Sequence, residues 1–438
     1  MLCRRDAEAR RVKGKNQQLR YGIIADDLTG ATDAAAGFAN YGFQVAVALE
    51  PGRLRSLAAH VMVLSTHSRH DAPATSCRKV RKACAQLHAG GVTLLYKKID
   101  STVQGNIVAE VEAARDAGGF AAALVCPANP SQGRVVRGGV LRVRAGDSVN
   151  LRHRFLIQGL TEFGSVESPI SVAKATHSIQ QGRRFIIADA TSERDLAVLV
   201  LAVLRSKFRV LLAGSAGMAG ALAKLLSHRN SAQVNQSFKS PPTSAGRDAC
   251  GKTLAFTGSN NPVTERQLKQ LSAKTNAVSL ALDGCTRKHA AVALANERNV
   301  IVRVPVHRRS NRIVIRQLNA LASLFRGRLV GSLLLTGGDT ALLVCRCLRP
   351  LAIAVNGEIV PGLAWGRFIG GVADGLSVCT KPGGFGVDQS LVRAVDFLAK
   401  ASAEVPPSGT RVRTQRTFGT SQPHPGESRA PETSRTTA

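Results

Sequence analysis

The sequence predicts an α/β protein of two α/β domains with mainly parallel sheets and a cleft between them. Three observations carry that expectation. The chain has 438 residues, 44% of them hydrophobic, which is length and apolar content enough for more than one core. Short apolar runs alternate with helix-like stretches along most of it, the pattern of parallel strands joined by crossover helices. A polar segment around Pro241 and Pro242 interrupts that pattern once and reads as a linker.

In order along the chain, residues 1–20 are polar and charged and read as a disordered extension. The first globular block spans 21–227. Its buried strands are expected at 21–25, 45–49, 61–65, 93–99, 122–127, 184–189 and 210–214, with helices at 31–41, 107–117 and 217–226. Residues 228–252 form the linker. The second block, 253–400, repeats the scheme with strands at 254–258, 278–282, 300–304 and 332–337. Residues 401–438 are rich in Pro, Ser, Thr and Arg without apolar periodicity and read as a disordered tail.

The charge balance is unusual. There are 59 Lys and Arg against 29 Asp and Glu, a net charge of +30. The first 20 residues hold a net +5 and residues 401–438 a net +2, so +23 is spread through the middle of the chain. Those bases are scattered, and aromatic residues are only 4% of the chain. A single-strand nucleic-acid binder would use aromatic stacking platforms, so a small anionic ligand is the better expectation. Nine cysteines at irregular spacing, without a C-x-x-C pair, suit reduced thiols. Cys345 and Cys347 fall on one helix with a spacing that points them to different faces. No apolar stretch resembles a signal peptide or a membrane span, and a cytoplasmic protein is expected.

In parallel sheets ligands bind outside the carboxyl ends of the strands, so candidate residues are sought there. The first strand ends in Asp26-Asp27-Leu28-Thr29-Gly30. One Asp suffices as a helix cap. Two adjacent carboxylates repel unless something cationic or hydroxylated meets them, which suits holding a polyol, accepting a hydroxyl proton, or binding Mg²⁺. The strand at 93–99 leads into Asp100, Ser101 and Thr102, with Lys97 or Lys98 supplying positive charge. Pro127-Ala128-Asn129-Pro130 and Gln132-Gly133-Arg134 follow the next strand, and Arg134 has the fork to grip a carboxylate. Gly214-Ser215-Ala216-Gly217 is a further small-residue turn, as well suited to close packing as to a ligand. The second block carries three glycine turns: Thr257-Gly258-Ser259, Thr336-Gly337-Gly338-Asp339-Thr340, and Lys381-Pro382-Gly383-Gly384-Phe385-Gly386. Glycines at strand-to-helix turns let backbone N–H groups close on phosphates. Neither a P-loop nor a dinucleotide fingerprint is present.

Taken together and in this order, IADDLTGATDAA, KKIDST..GN, PANPSQGR, GSAGMAGALA, LTGGDT and GEIVPGLAWGRFIGGVADGLSVCTKPGGFG resemble the four-carbon acid sugar kinase family. The resemblance covers about 21–140 and 184–398. It implies an N-terminal domain for the sugar acid and a C-terminal domain for the nucleotide. It also implies ATP contacts at Ser259, at Gly337, Gly338, Asp339 and Thr340, and at Gly383 or Gly384. ATP and Mg²⁺ are then the expected cofactors, and threonate, erythronate or 3-oxo-tetronate the expected substrates, with Asp26 or Asp27 acting on the terminal hydroxyl. A homo-oligomer is compatible with this reading. Two departures stand out. Gln104 occupies a position where the family has a basic residue, and the Arg- and His-rich stretch 141–172 looks altered or out of register. A relic that binds nucleotide or sugar acid without turnover, and a basic nucleic-acid-associated protein, are the competing readings.

Overall fold

A computed structural model of the chain describes residues 20–144, 147–229, 252–305, 312–326 and 329–403. Most of the expected linker, tail and N-terminal extension lies outside the described residues. In the first half the strands are β1 (Tyr21–Ala25), β2 (Val45–Ala48), β3 (Val61–Ser65), β4 (Thr93–Lys98), β5 (Ala122–Cys126), β6 (Val135–Arg137), β7 (Val140–Arg144), β8 (Asp147–Asn150), β9 (Gly164–Val166), β10 (Phe185–Ala188) and β11 (Val210–Gly214). The second half adds β12 (Lys252–Thr257), β13 (Val278–Ala281), β14 (Val300–Arg303), β15 (Val330–Thr336), β16 (Ala352–Val360), β17 (Leu363–Ile369) and β18 (Ser377–Lys381).

The helices of the first half are α1 (Leu28–Ala39), α2 (Pro73–Ala89), α3 (Ile107–Ala117), α4 (Leu151–Ile157), α5 (Val172–Gln180), α6 (Glu193–Arg205) and α7 (Ala216–Arg229). Those of the second are α8 (Pro262–Thr275), α9 (Thr286–Ala295), α10 (Arg312–Leu321), α11 (Ser323–Arg326), α12 (Gly338–Leu348) and α13 (Ser390–Ala403). Each expected strand is present to within two residues at either end, and α3 occupies the expected span.

The mainly parallel α/β class holds, with one addition. The two halves share a single sheet in the order β13-β14-β12-β15-β18-β17-β16-β2-β3-β1-β4-β11-β5-β10-β9. The join is antiparallel: β16 pairs with β2, Ala352 opposite Ala48 and Val355 opposite Val45. β16 and β17 form a hairpin, and β17 continues antiparallel to β18. Everywhere else in this sheet neighbours run parallel, as the apolar runs predicted, so carboxyl ends point the same way within each half. The three successive antiparallel pairings set the parallel strands of the second half opposite in direction to those of the first. These strands are buried on both faces: Ile23, Ile24, Val63, Leu124, Leu211 and Leu333 are all at most 2% exposed.

The described residues of the stretch 141–172, expected to be altered or out of register, are folded. They supply β7 and β8 of a small antiparallel sheet with β6, then α4 and β9. Leu141, Leu151 and Phe155 are each fully buried, so its Arg and His residues decorate an element that is anchored by apolar contacts. Cys345 and Cys347 share α12, the first buried and the second half-buried, as their spacing requires.

Candidate functional site

Strand β1 delivers Asp26 and Asp27 to the carboxyl ends of the first half's parallel strands. Asp27 is the N-cap of α1, and its Oδ1 accepts the Gly30 N–H at 2.8 Å. The capping role is therefore real. It does not account for Asp26, nor for the repulsion between the two. Arg69, from the loop after β3, supplies the missing cation. Its Nε and Nη2 donate to Asp26 Oδ2 and Oδ1 at 2.7 and 3.1 Å, and Nη2 lies 3.0 Å from Asp27 Oδ1 and 3.6 Å from Asp100 Oδ2. The loop is pinned to β1 by the Thr66 and Ser68 N–H groups on the carbonyls of Ala25 and Asp26. Burial pushes the Asp26 carboxyl up, but Arg69, with Lys97 and Lys98 behind it, outweighs this and holds it at about 2.

The sequence reading missed Arg69. The signal was available: the strand at 61–65 ends in Thr66-His67-Ser68-Arg69, a polar strand tip of the same kind as those that supply the other candidates.

The tip of β4 separates the two lysines. Lys97 is fully buried, with Nζ 2.9 Å from Glu110 Oε2 and donating to the Lys98 carbonyl at 2.8 Å. Its charge is taken up by α3, which corrects its expected role as a substrate ligand. Lys98 lies on the other side: a Cβ added at Gly30 would come 3.3 Å from its Nζ. Asp100 folds the next turn, its Oδ1 accepting from the Thr102 hydroxyl at 2.5 Å, from Thr102 N at 2.8 Å and from Gln104 N at 3.3 Å. Thr102 is thereby committed to that turn. Ser101 faces the neighbouring strand tip, where its Oγ accepts from Arg134 Nη1 at 2.5 Å. Asp26, Asp27, Lys98, Asp100, Ser101 and Arg134 are thus gathered around Arg69 and α1.

The three glycine turns of the second half are hydrogen-bonded into one structure. Thr264 Oγ1, on α8, donates to the Gly383 carbonyl at 2.6 Å and lies 3.3 Å from Ser259 Oγ. The Gly337 N–H donates to the Lys381 carbonyl at 2.9 Å. Gly337 has φ +91°, a conformation that a side chain would strain, and Gly338 to Thr340 open α12 behind it. A Cβ at Gly383 would sit 2.6 Å from Ser259 Oγ, so glycine is needed there for close approach. Gly384 is the next residue of the same turn. Lys381 is buried beneath this turn, donating to Thr264 Oγ1 and to the carbonyls of Pro382 and Gly383 at 3.2, 2.9 and 3.0 Å. Burial lowers its ammonium to about 7.

The halves meet at this edge. A Cβ at Gly338 would lie 2.6 Å from Asp27 Oδ2, so the Asp27 carboxylate sits against the N-terminus of α12. Thr32 and Thr380 hydroxyls lie 2.6 Å apart, and the Arg134 guanidinium stacks over Phe385 of the third glycine turn, 4.4 Å from the ring centroid. A basic and carboxylate-bearing cluster therefore faces a glycine-lined helix N-terminus, an arrangement that can hold a small hydroxylated anion beside a phosphate chain. The glycine turns fit a nucleotide on that ground. Among the described residues no group of three or more His, Cys, Asp or Glu could hold a metal by itself.

Comparison with known proteins decides what this pair of surfaces belongs to. A family model described as a sugar-binding N-terminal domain matches residues 21–158 and 158–222, and one described as a nucleotide-binding C-terminal domain matches 254–391. A D-threonate kinase of Bordetella bronchiseptica is 32% identical, with 86% of this chain and 97% of that protein covered. The chain belongs to the four-carbon acid sugar kinase family. A D-erythronate kinase of Heliobacterium modesticaldum is 26% identical over 88% of this chain and 99% of its own, and a 3-oxo-tetronate kinase of Brucella melitensis is 24% identical over 86% and 95%. A solved Haemophilus influenzae protein has the same fold, with a TM-score of 0.62 at 21% identity, covering 86% of this chain and all of the other. Membership makes this sugar acid kinase a phosphotransferase with an alcohol group as acceptor. No helix among the described residues is long and apolar enough to cross a membrane.

Proposed function

We propose that the chain is an ATP-dependent kinase that phosphorylates the terminal hydroxyl of threonate, erythronate or 3-oxo-tetronate. The observation that carries this reading is the seat of Asp27, a carboxylate of the first half held against the α12 N-terminus of the second. The first half, 21–227, would take the sugar acid and the second, 253–400, the nucleotide. ATP, when bound, supplies the phosphoryl group, with Mg²⁺ as the neutralising charge. Ser259, Gly337, Gly338, Asp339, Thr340, Gly383 and Gly384 are the residues that would hold it. Since no described cluster forms a metal cage, Mg²⁺ would enter with the phosphates and at most one or two carboxylates.

Arg69, Lys98 and Arg134 draw in the acid. Asp100 and Ser101 offer oxygen atoms for its hydroxyl groups. Asp27 orients the terminal hydroxyl and accepts its proton. Asp26 is the poorer base, because both of its oxygens lie in the Arg69 fork and its carboxyl is held near 2. Asp27 has one oxygen facing the second half, where the acceptor must meet the phosphate chain.

The test is a coupled ADP-release assay with Mg²⁺ over a panel of tetronates. Turnover on at least one is expected, and Asp27→Asn should lower kcat by about a hundredfold or more. Near-normal turnover in both Asp27→Asn and Asp26→Asn would remove the base assignment. ADP binding with silence across the whole panel would favour a relic, the reading to which Gln104 lends itself.

A further inference from the structure

Beside the strand-tip cluster lies a cavity of about 690 Å³, bounded by α1, α7, the turn after β5, the start of α6 and the β16–β17 hairpin. It is within the size range of small-molecule sites. Its lining includes Asp33, Asn129 and Glu358. Asp33 is 4% exposed, and among the described residues its carboxylate has neither a hydrogen bond nor an ion pair. An unpartnered buried carboxylate costs stability, so its retention points to a ligand that completes it. The lining is mixed in charge: Asp33, Glu193 and Glu358 are acids, and Arg194 and Lys224 are bases. The acids suit hydroxyl groups, and the bases can meet a carboxylate.

Asp33 also has a fixed relation to the proposed acceptor site. It lies six residues beyond Asp27 on α1, a rise of about 9 Å, roughly the span of a short sugar chain with a hydrogen bond at each end. Lys98 and Arg134, the cations proposed for the acid group, act electrostatically on Asp33, as do Asp27 and Asp100. Phe385, stacked on Arg134, packs against Gly362 at the cavity wall.

We infer that this cavity seats the acid end of the acceptor, and that Asp33, with Glu358 across from it, accepts the hydroxyl next to the carboxylate. The enzyme would thereby select 2-hydroxy acids. This deepens the kinase reading and rests on it. Burial, with Asp27 and Asp100 nearby, raises Asp33 to about 6 despite Lys98 and Arg134, and burial with Asp33 nearby raises Glu358 to about 7. Both therefore hold protons more readily than ordinary carboxyls until a hydroxyl donor arrives.

The experiment compares, in the full-length enzyme with ATP and Mg²⁺, the best tetronate of the panel with 3,4-dihydroxybutanoate, which lacks only the 2-hydroxyl. The wild type should prefer the tetronate by at least a hundredfold in kcat/KM, because a site built to bind a hydroxyl rejects the analogue without it. Asp33→Asn should raise KM for the tetronate tenfold or more, leave kcat within a few fold, and leave the deoxy acid's kinetics unchanged, which collapses the preference. Equal kinetics for the two acids in the wild type, or equal losses on both in Asp33→Asn, would overturn the inference. If Asp33→Asn does not fold, Glu358→Gln decides by the same comparison, and no narrowing of the ratio there overturns it. Failure of the kinase reading is seen separately, as wild-type silence on every tetronate.

Discussion

Arg69 is a single cation within ion-pair distance of three carboxylates, Asp26, Asp27 and Asp100, and it keeps only 17% of its side-chain exposure. Removing it leaves these acids to repel one another at one sheet edge. Arg69→Ala should lower stability by about 3 kcal/mol, read in urea melts, and Arg69→Lys should recover only part of that because an ammonium lacks the fork. Asp33 behaves in the opposite sense. Its carboxyl sits at about 6 against an ordinary 3.8, so the folded protein holds that proton more tightly than the unfolded chain does. The associated stability is fully present below about pH 4 and is lost as pH rises through about 6. Asp33→Asn should therefore gain on the wild type across that window, by an amount on the order of 2 kcal/mol at neutral pH, in melts taken as a function of pH. Such a gain in stability alongside a loss in substrate binding is the expected signature of a site residue. Asp26 and Asp27 were legible in the sequence because adjacent carboxylates at a strand tip demand a counter-charge. Arg69 was harder to read, since a lone Arg among His and Ser acquires its meaning only when β3 is laid beside β1.

The glycine turns behave as one element. Ser259, Thr264, Gly383, Lys381 and Gly337 are linked by contacts and hydrogen bonds that cross three strand ends. Gly338 is the point where this element touches Asp27. Gly338→Ala would place a methyl 2.6 Å from Asp27 Oδ2, so Asp27 or α12 must shift. We expect kcat to fall tenfold or more, with the melting temperature little changed because alanine is a good residue for the first turn of a helix. The turns were readable from composition, as small residues after apolar runs. The β16–β17 hairpin was not. Its sequence, AIAVNGEIVPGLAWGRFI, contains glycines and a proline that obscure the alternation, and its partner β2 lies in the other half of the chain. Lys97 and Lys98 show the limit of a different kind. Adjacent residues on a strand point to opposite faces, so one of the two had to leave the site, but only the position of Glu110 determines which.

At the scale of the molecule, the boundary between the half proposed for the sugar acid and the half proposed for the nucleotide does not coincide with a break in the sheet. Four register pairs tie β2 to β16, and a further contact joins Asn40 to the Glu358 N–H at 3.3 Å. A first half made alone, ending at Arg229, would carry β2 as an exposed apolar edge. It should associate or precipitate, and should become soluble when the second half is co-expressed, as judged by size-exclusion chromatography. The order of manufacture raises the same problem inside the cell. Ala48 leaves the ribosome long before Ala352, its partner in the pairing, is made. With about 300 residues between them and synthesis at roughly 5–20 residues per second, the newborn strand waits for tens of seconds. The seam that brings the two ligand surfaces together therefore also sets a clock on biogenesis, and during that interval the nascent chain depends on a chaperone or on speed.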